Sequence, residues 1–86
     1  MKIKKELVKR DIAGDIVLVP VGKTVYEANG LFVLNDVGAF LWDRLSEADG
    51  AEDLTAAVLA EYEVTAEEAR RDIDEFLDTL HRMAII

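Results

Sequence analysis

The chain has 86 residues, no cysteine and a formal net charge of −8 at pH 7. This length supports one modest hydrophobic core, so we expect a single domain over residues 1–86, and the missing cysteines exclude disulfides, thiolate metal ligands and thiol nucleophiles. No uncharged run approaches the roughly 18 residues of a membrane span, and the negative charge repels phosphate backbones, so we expect a cytoplasmic protein with neither a membrane nor a nucleic acid as partner.

The first part of the chain predicts short antiparallel strands. Residues 6–13 mix apolar and charged side chains in the manner of an exposed strand, and Gly14 with Asp15 supplies a turn. Residues 16–21, IVLVPV, are rich in β-branched side chains and typical of a buried strand. Pro20 cannot donate a ladder hydrogen bond, so this strand must end or lie at an edge there.

A hairpin is predicted next. Asn29 and Gly30 separate the runs 24–28 and 31–34, and Asn-Gly is the strongest short-range signal for a type I′ turn, because that turn needs positive φ at both central residues. The sequence therefore predicts a meander of three or four short strands.

After Asn35 the apolar period changes from two to about three and a half, which indicates helices. Asn35 or Asp36 can cap a first helix that runs to about residue 47. A second helix is expected from about residue 52 to residue 61. Gly38 and Trp42 lie four positions apart on one face of the first helix. We expect Trp42 to anchor the core between this helix and the sheet, with a peptide-binding surface as the alternative position for its edge.

The third helix is the clearest one in the sequence. Thr65 and Glu68 form a capping box, in which each side chain satisfies a backbone N–H at the start of the helix. Its apolar positions then repeat at steps of three and four, and they are Ala66, Ala69, Ile73, Phe76, Leu80 and Met83. Three helices beside a small antiparallel sheet predict an α+β fold of winged-helix type, with the apolar residues 84–86 packed back on the core.

No arrangement of side chains in this sequence favours catalysis. His81 is the sole histidine, and no cysteine or second histidine can complete a triad or transition-metal site with it. Asp74 and Asp78 are four residues apart on an acidic helix, which is the usual pattern of a solvated face rather than a glycosidase pair. Ser46 lacks the Asp-Ser-Leu motif of acyl carrier domains. We therefore expect no enzyme activity, no metal and no cofactor.

Several loose motifs follow one another in a fixed order along nearly the whole chain. They are LFVLN at residues 31–35, Gly38, Trp42, a helix ending near Tyr62, the run DIDEFL at residues 72–77, Leu80, and the apolar end Ile85-Ile86. Together they resemble the PqqD family, the peptide chaperones of pyrroloquinoline quinone biosynthesis. The wider group is the RiPP recognition elements, which bind the leaders of ribosomally made, post-translationally modified peptides.

The resemblance implies a winged-helix fold that binds a leader peptide as an added strand, in a cleft between the third strand and the third helix. The implied peptide-binding positions on the strand are Leu31, Phe32, Val33, Leu34 and Asn35. On the third helix, positions beside a buried stripe centred on Ile73 would form the other wall, with an apolar floor from Leu77 and polar selectors from Arg70, Asp74 and His81.

The implied partners are a precursor peptide and a separate modifying enzyme, often a radical S-adenosylmethionine enzyme in this family. Residues 22–29, GKTVYEAN, depart from the proline-rich pattern of the quinone-cofactor members. The resemblance therefore implies leader binding without assigning the chain to pyrroloquinoline quinone synthesis.

Two alternatives come from other functional classes. A winged-helix transcriptional regulator needs a basic recognition helix, whereas residues 65–83 carry six acids against three arginines, and residues 36–86 sum to −10 (four Arg, fourteen Asp or Glu). A structural dimerisation module is the second alternative, in which the third helix pairs with a copy of itself to make a homodimer.

Overall fold

In the computed structural model the described residues are 1–22 and 32–86, and within them the chain forms three strands followed by three helices. The strands are β1 (Leu7–Ile12), β2 (Asp15–Pro20) and β3 (Phe32–Leu34), and the helices are α1 (Asp36–Leu45), α2 (Ala51–Glu61) and α3 (Ala66–Arg82). The predicted α+β class, with the sheet before the helices, is confirmed. The predicted strand at 24–28, the Asn29-Gly30 turn and Leu31 lie outside the described residues.

The sheet is an antiparallel meander in the order β1-β2-β3, so β2 is its central strand. β1 and β2 are joined by Ala13 and Gly14, whose φ angles of 53° and 90° are both positive, as a type I′ turn requires. The predicted Gly14-Asp15 turn is wrong by one residue, because Asp15 already pairs with Ile12. β2 ends at Pro20, as the missing N–H of proline predicted.

The core lies between one face of the sheet and the three helices. Leu18 contributes to it from the central strand, and α3 supplies a stripe of buried side chains at helical spacing. Alternation along β3 shows which face packs against the helices, since Leu34 belongs to the core while Val33 is 61% exposed on the opposite face. The largest fully buried side chains are Leu18, Leu41, Leu45, Leu54, Ile73, Leu80 and Ile85.

Two predicted helix caps are present. The Asn35 side chain accepts a hydrogen bond of 2.7 Å from the backbone N–H of Gly38 at the start of α1. The Thr65 hydroxyl accepts one of 3.1 Å from the N–H of Glu68 at the start of α3, which is one half of the predicted capping box; the Glu68 carboxylate makes no return bond to a described residue. Both caps set the direction in which the chain enters its helix, and the first one joins β3 directly to α1.

The end of α3 returns the chain to the core. Ala84 has a φ of 57°, the Ala84 N–H donates to the carbonyl of His81, and the Ile85 N–H donates to the carbonyl of Leu80 at 2.9 Å, which together make a Schellman motif. Ile85 and Ile86 are buried, as the apolar tail predicted. None of the helices in the described part of the chain is long and apolar enough to cross a membrane.

Candidate functional site

Strand β3 has one edge that no described strand covers. Among residues 1–22 and 32–86 it pairs with β2 alone, and Asn35 follows it directly as the cap of α1. A strand paired on one side leaves a row of backbone donors and acceptors available to another extended segment.

The register shows which backbone groups point to this edge. The N–H of Val21 donates to the carbonyl of Glu6, so these two opposite residues are a hydrogen-bonded pair. Hydrogen-bonded pairs alternate along an antiparallel ladder, so Arg10 and Val17 are another such pair of β1 and β2. Val17 therefore turns its N–H and carbonyl toward β1. Val33 lies opposite Val17 in a pair without hydrogen bonds, and its own N–H and carbonyl point away from β2, to the open edge.

A groove runs between this end of the sheet and α3, with a volume of about 190 Å³. That volume is below the roughly 300–1,000 Å³ of typical small-molecule pockets, so it suits one or two side chains of an extended segment better than a compact ligand. Its lining residues come from β3, from α1 with its cap, and from α3, and they are Phe32, Val33, Leu34, Asn35, Val37, Gly38, Leu41, Asp72, Glu75, Phe76 and Thr79.

The groove has an apolar floor and an acidic rim. Leu34, Leu41 and Phe76 are core residues that reach its base. Asp72 and Glu75 are exposed on the α3 side, and neither carboxylate has a hydrogen bond or ion pair within the described residues. The described lining residues include no lysine, arginine or histidine. An extended segment in this groove therefore meets apolar surface below and two carboxylates without described ion-pair partners beside it.

Gly38 keeps the α1 end of the groove compact. A Cβ atom at this position would lie 3.1 Å from the capping Oδ1 of Asn35 and 3.4 Å from Cδ2 of Leu34. Close packing of the cap and β3 against the first turn of α1 thus explains why residue 38 is a glycine.

The predicted α3 residues do not line this groove, so peptide contact by Arg70, Asp74, Leu77 and His81 stays a prediction. Arg70 and Asp74 are exposed and line a separate depression whose described lining residues all belong to α3. His81 is exposed and donates from Nδ1 to the carbonyl of Leu77 at 2.9 Å. Leu77 itself is only 8% exposed and belongs to the core.

The position of the groove on α3 has a geometric cause. With Ile73 at the centre of the buried stripe and 100° per residue, the predicted positions lie on one side of the stripe, and Phe76, Asp72, Thr79 and Glu75 lie on the other. A helical period identifies the stripe but cannot tell which of its two margins meets the sheet. The sequence signal that could have suggested the groove margin is Phe76, an aromatic side chain at the boundary between buried and charged positions.

Trp42 packs against the core while remaining half-buried, and it does not line the groove. The first two helices are joined nearby by an aromatic pair, in which the rings of Phe40 and Tyr62 meet edge to face at 5.2 Å. The guanidinium of Arg44 lies 3.6 Å from the centre of the Phe40 ring. These contacts join α1 to the end of α2 outside the groove.

Comparisons with known proteins agree with this architecture. The family model described as "Coenzyme PQQ synthesis protein D (PqqD)" matches residues 15–86. A solved structure described as TbiB1 in complex with the TbiA(beta) leader peptide is 30% identical, with a TM-score of 0.73 over 99% of this chain and 93% of that one. A lasso peptide synthetase B1 complexed with the leader peptide is 25% identical, with a TM-score of 0.71 over 94% and 89%. No curated protein sequence matches significantly.

Proposed function

The chain belongs to the PqqD family, and from this premise we propose that it is a non-catalytic peptide chaperone, a RiPP recognition element. It binds the leader of a ribosomally synthesised precursor peptide and presents that precursor to a modifying enzyme. The two solved relatives, whose structures hold leader peptides, support the choice of ligand.

The observation that carries the proposal is the open edge of β3 beside the groove. A leader in extended conformation can exchange two backbone hydrogen bonds with Val33, whose N–H and carbonyl point to that edge. Phe32, Leu34 and Asn35 line the groove next to it, and we retain them as peptide-binding positions. On α3 the proposed contacts move to the residues that line the groove, namely Asp72, Glu75, Phe76 and Thr79.

The modification chemistry is assigned to a separate protein. The polar side chains of the groove are two carboxylates, one asparagine and one threonine, and the threonine hydroxyl already donates to the carbonyl of Glu75 at 2.9 Å. This set offers a surface for recognition rather than a nucleophile with a base. We infer that a partner enzyme, for example a radical S-adenosylmethionine enzyme, acts on the precursor in the cytoplasm.

The decisive experiment removes one backbone donor. In Val33→Pro the N–H that points to the open edge is lost, while the bonds to β2 involve Phe32 and Leu34 and are retained. We expect the affinity for the cognate leader peptide to fall by about tenfold or more, because a peptide carbonyl loses its partner and the proline ring blocks its approach. Fluorescence anisotropy with labelled leader measures the change.

Val33→Ala is the matched control, because it trims an exposed side chain and keeps the N–H. It should bind the leader as the parent does, and circular dichroism should show both variants folded. In the parent, amide shifts on titration should be largest at 32–35 and 72–79. Equal binding by folded Val33→Pro, or shifts confined to α2 and the 48–50 loop, would contradict strand addition.

A further inference from the structure

The open edge of β3 determines how the side chains of an added strand must point. A peptide residue opposite Val33 shares its face of the sheet, which is the face turned away from the helices. The peptide residues on either side of it then face the same way as Phe32 and Leu34, toward the helices and into the groove. The groove therefore contacts every second side chain of the peptide.

Two different surfaces meet these alternate side chains. Phe76 and Leu41 offer apolar contact at the base of the groove. Asp72 and Glu75 offer two carboxylates, neither of which forms an ion pair with a described residue. An acidic side chain of the peptide would be repelled at this rim, and a lysine or arginine would gain an ion pair.

On the basis of the proposed function, we propose that the groove selects a basic leader segment, in which an apolar side chain and a cationic side chain occupy alternate positions on the face toward α3. Asp72 and Glu75 are the residues that determine this specificity. The ladder of main-chain hydrogen bonds supplies affinity for any extended segment, and the two carboxylates discriminate among segments by charge.

The test uses three synthetic peptides that differ in one side-chain type. In the first, every other residue is threonine and the intervening residues are leucine and lysine in turn; the second and third carry glutamine and glutamate in place of lysine. The lysine peptide should bind the full chain about five- to tenfold more tightly than the glutamine peptide, and the glutamate peptide should bind most weakly. Added salt should reduce the lysine preference.

Variants of the protein show which carboxylates cause the preference for the lysine peptide. Asp72→Asn and Glu75→Gln should each lower the ratio of lysine to glutamine affinities by about two- to fivefold, and the double variant should nearly abolish it. Asp74→Asn is the matched control, because it removes one exposed carboxylate from the same helix outside the groove. It should leave the ratio within about 1.5-fold of the parent value.

The outcomes separate this inference from the proposed function. If all three peptides shift the amides of 32–34 with equal affinity, or if Asp74→Asn lowers the lysine preference as much as Asp72→Asn does, charge selection by the groove is wrong and strand addition stands. If none of the peptides shifts those amides, strand addition and charge selection both fail.

Discussion

The two margins of the buried stripe on α3 contrast in what they face. On one margin Asp72, Phe76 and Thr79 lie across the groove from β3. On the other margin the described residues that line the surface with Arg70 and Asp74 all belong to α3. Both margins carry charged side chains beside an apolar core residue, so their sequences look alike. One can hold a ligand because a second element stands opposite it.

The core residue at each margin makes the contrast sharper. Phe76 and Leu77 are neighbours in sequence and are almost equally buried, at 9% and 8% exposure. Phe76 reaches the groove, whereas Leu77 contributes to the core without lining the groove. A substitution of Leu77 should therefore lower mainly the stability, and one of Phe76 should lower mainly the leader affinity. A hydropathy pattern does not distinguish the two positions.

The largest expected effect is on stability, at the margin away from the groove. Leu77→Ala should lower the free energy of unfolding by about 2–5 kcal/mol, because it leaves a cavity in the core. This is a large part of the stability that a domain of this size has. Urea unfolding measures the loss, and leader affinity, taken where the variant is folded, should stay within about twofold of the parent. A stable variant that no longer bound leader would place Leu77 at the binding surface instead.

At the groove we expect a smaller loss of stability than for Leu77→Ala and a larger loss of leader binding. Phe76→Leu keeps most of the apolar volume, so the free energy of unfolding should fall by no more than about 1.5 kcal/mol. The leader should nevertheless bind about three- to tenfold more weakly, because part of the aromatic base of the groove is removed. Calorimetric titration measures the affinity. An unchanged affinity in this variant would exclude Phe76 as a contact and would make the two margins equivalent.

The last prediction concerns DNA, to which we expect no binding. A regulator would read DNA with the arginines of α3, and Arg70 and Arg71 lie outside the groove. Six acids among residues 65–83 oppose three arginines, so we expect no mobility shift of random duplex at moderate salt. Salt-sensitive binding in the micromolar range would favour the regulator, and the Arg70 margin would then be the functional one.

Local chemistry in the sequence determined most of the fold. The change of apolar period at Asn35 predicted where strands give way to helices, and the caps at Asn35 and Thr65 are both present. Pro20 predicted the end of a strand from its missing N–H. Each of these features depends on residues close together in the chain, which is why sequence alone could identify them. The turn at Ala13 and Gly14 was misplaced by one residue, because an alanine with positive φ leaves no signal in the sequence.

The tertiary structure alone decided which side of α3 faces β3. Periodicity fixes a buried stripe on a helix, and the stripe has two margins that sequence cannot distinguish, because their difference depends on how the helix is rotated and placed against the sheet. Packing placed Asp72, Glu75, Phe76 and Thr79 at the groove and left Arg70 and Asp74 outside it. The register of β3 was decided in the same way, since the direction of the Val33 N–H follows from its pairing with β2 and from nothing in the side chain.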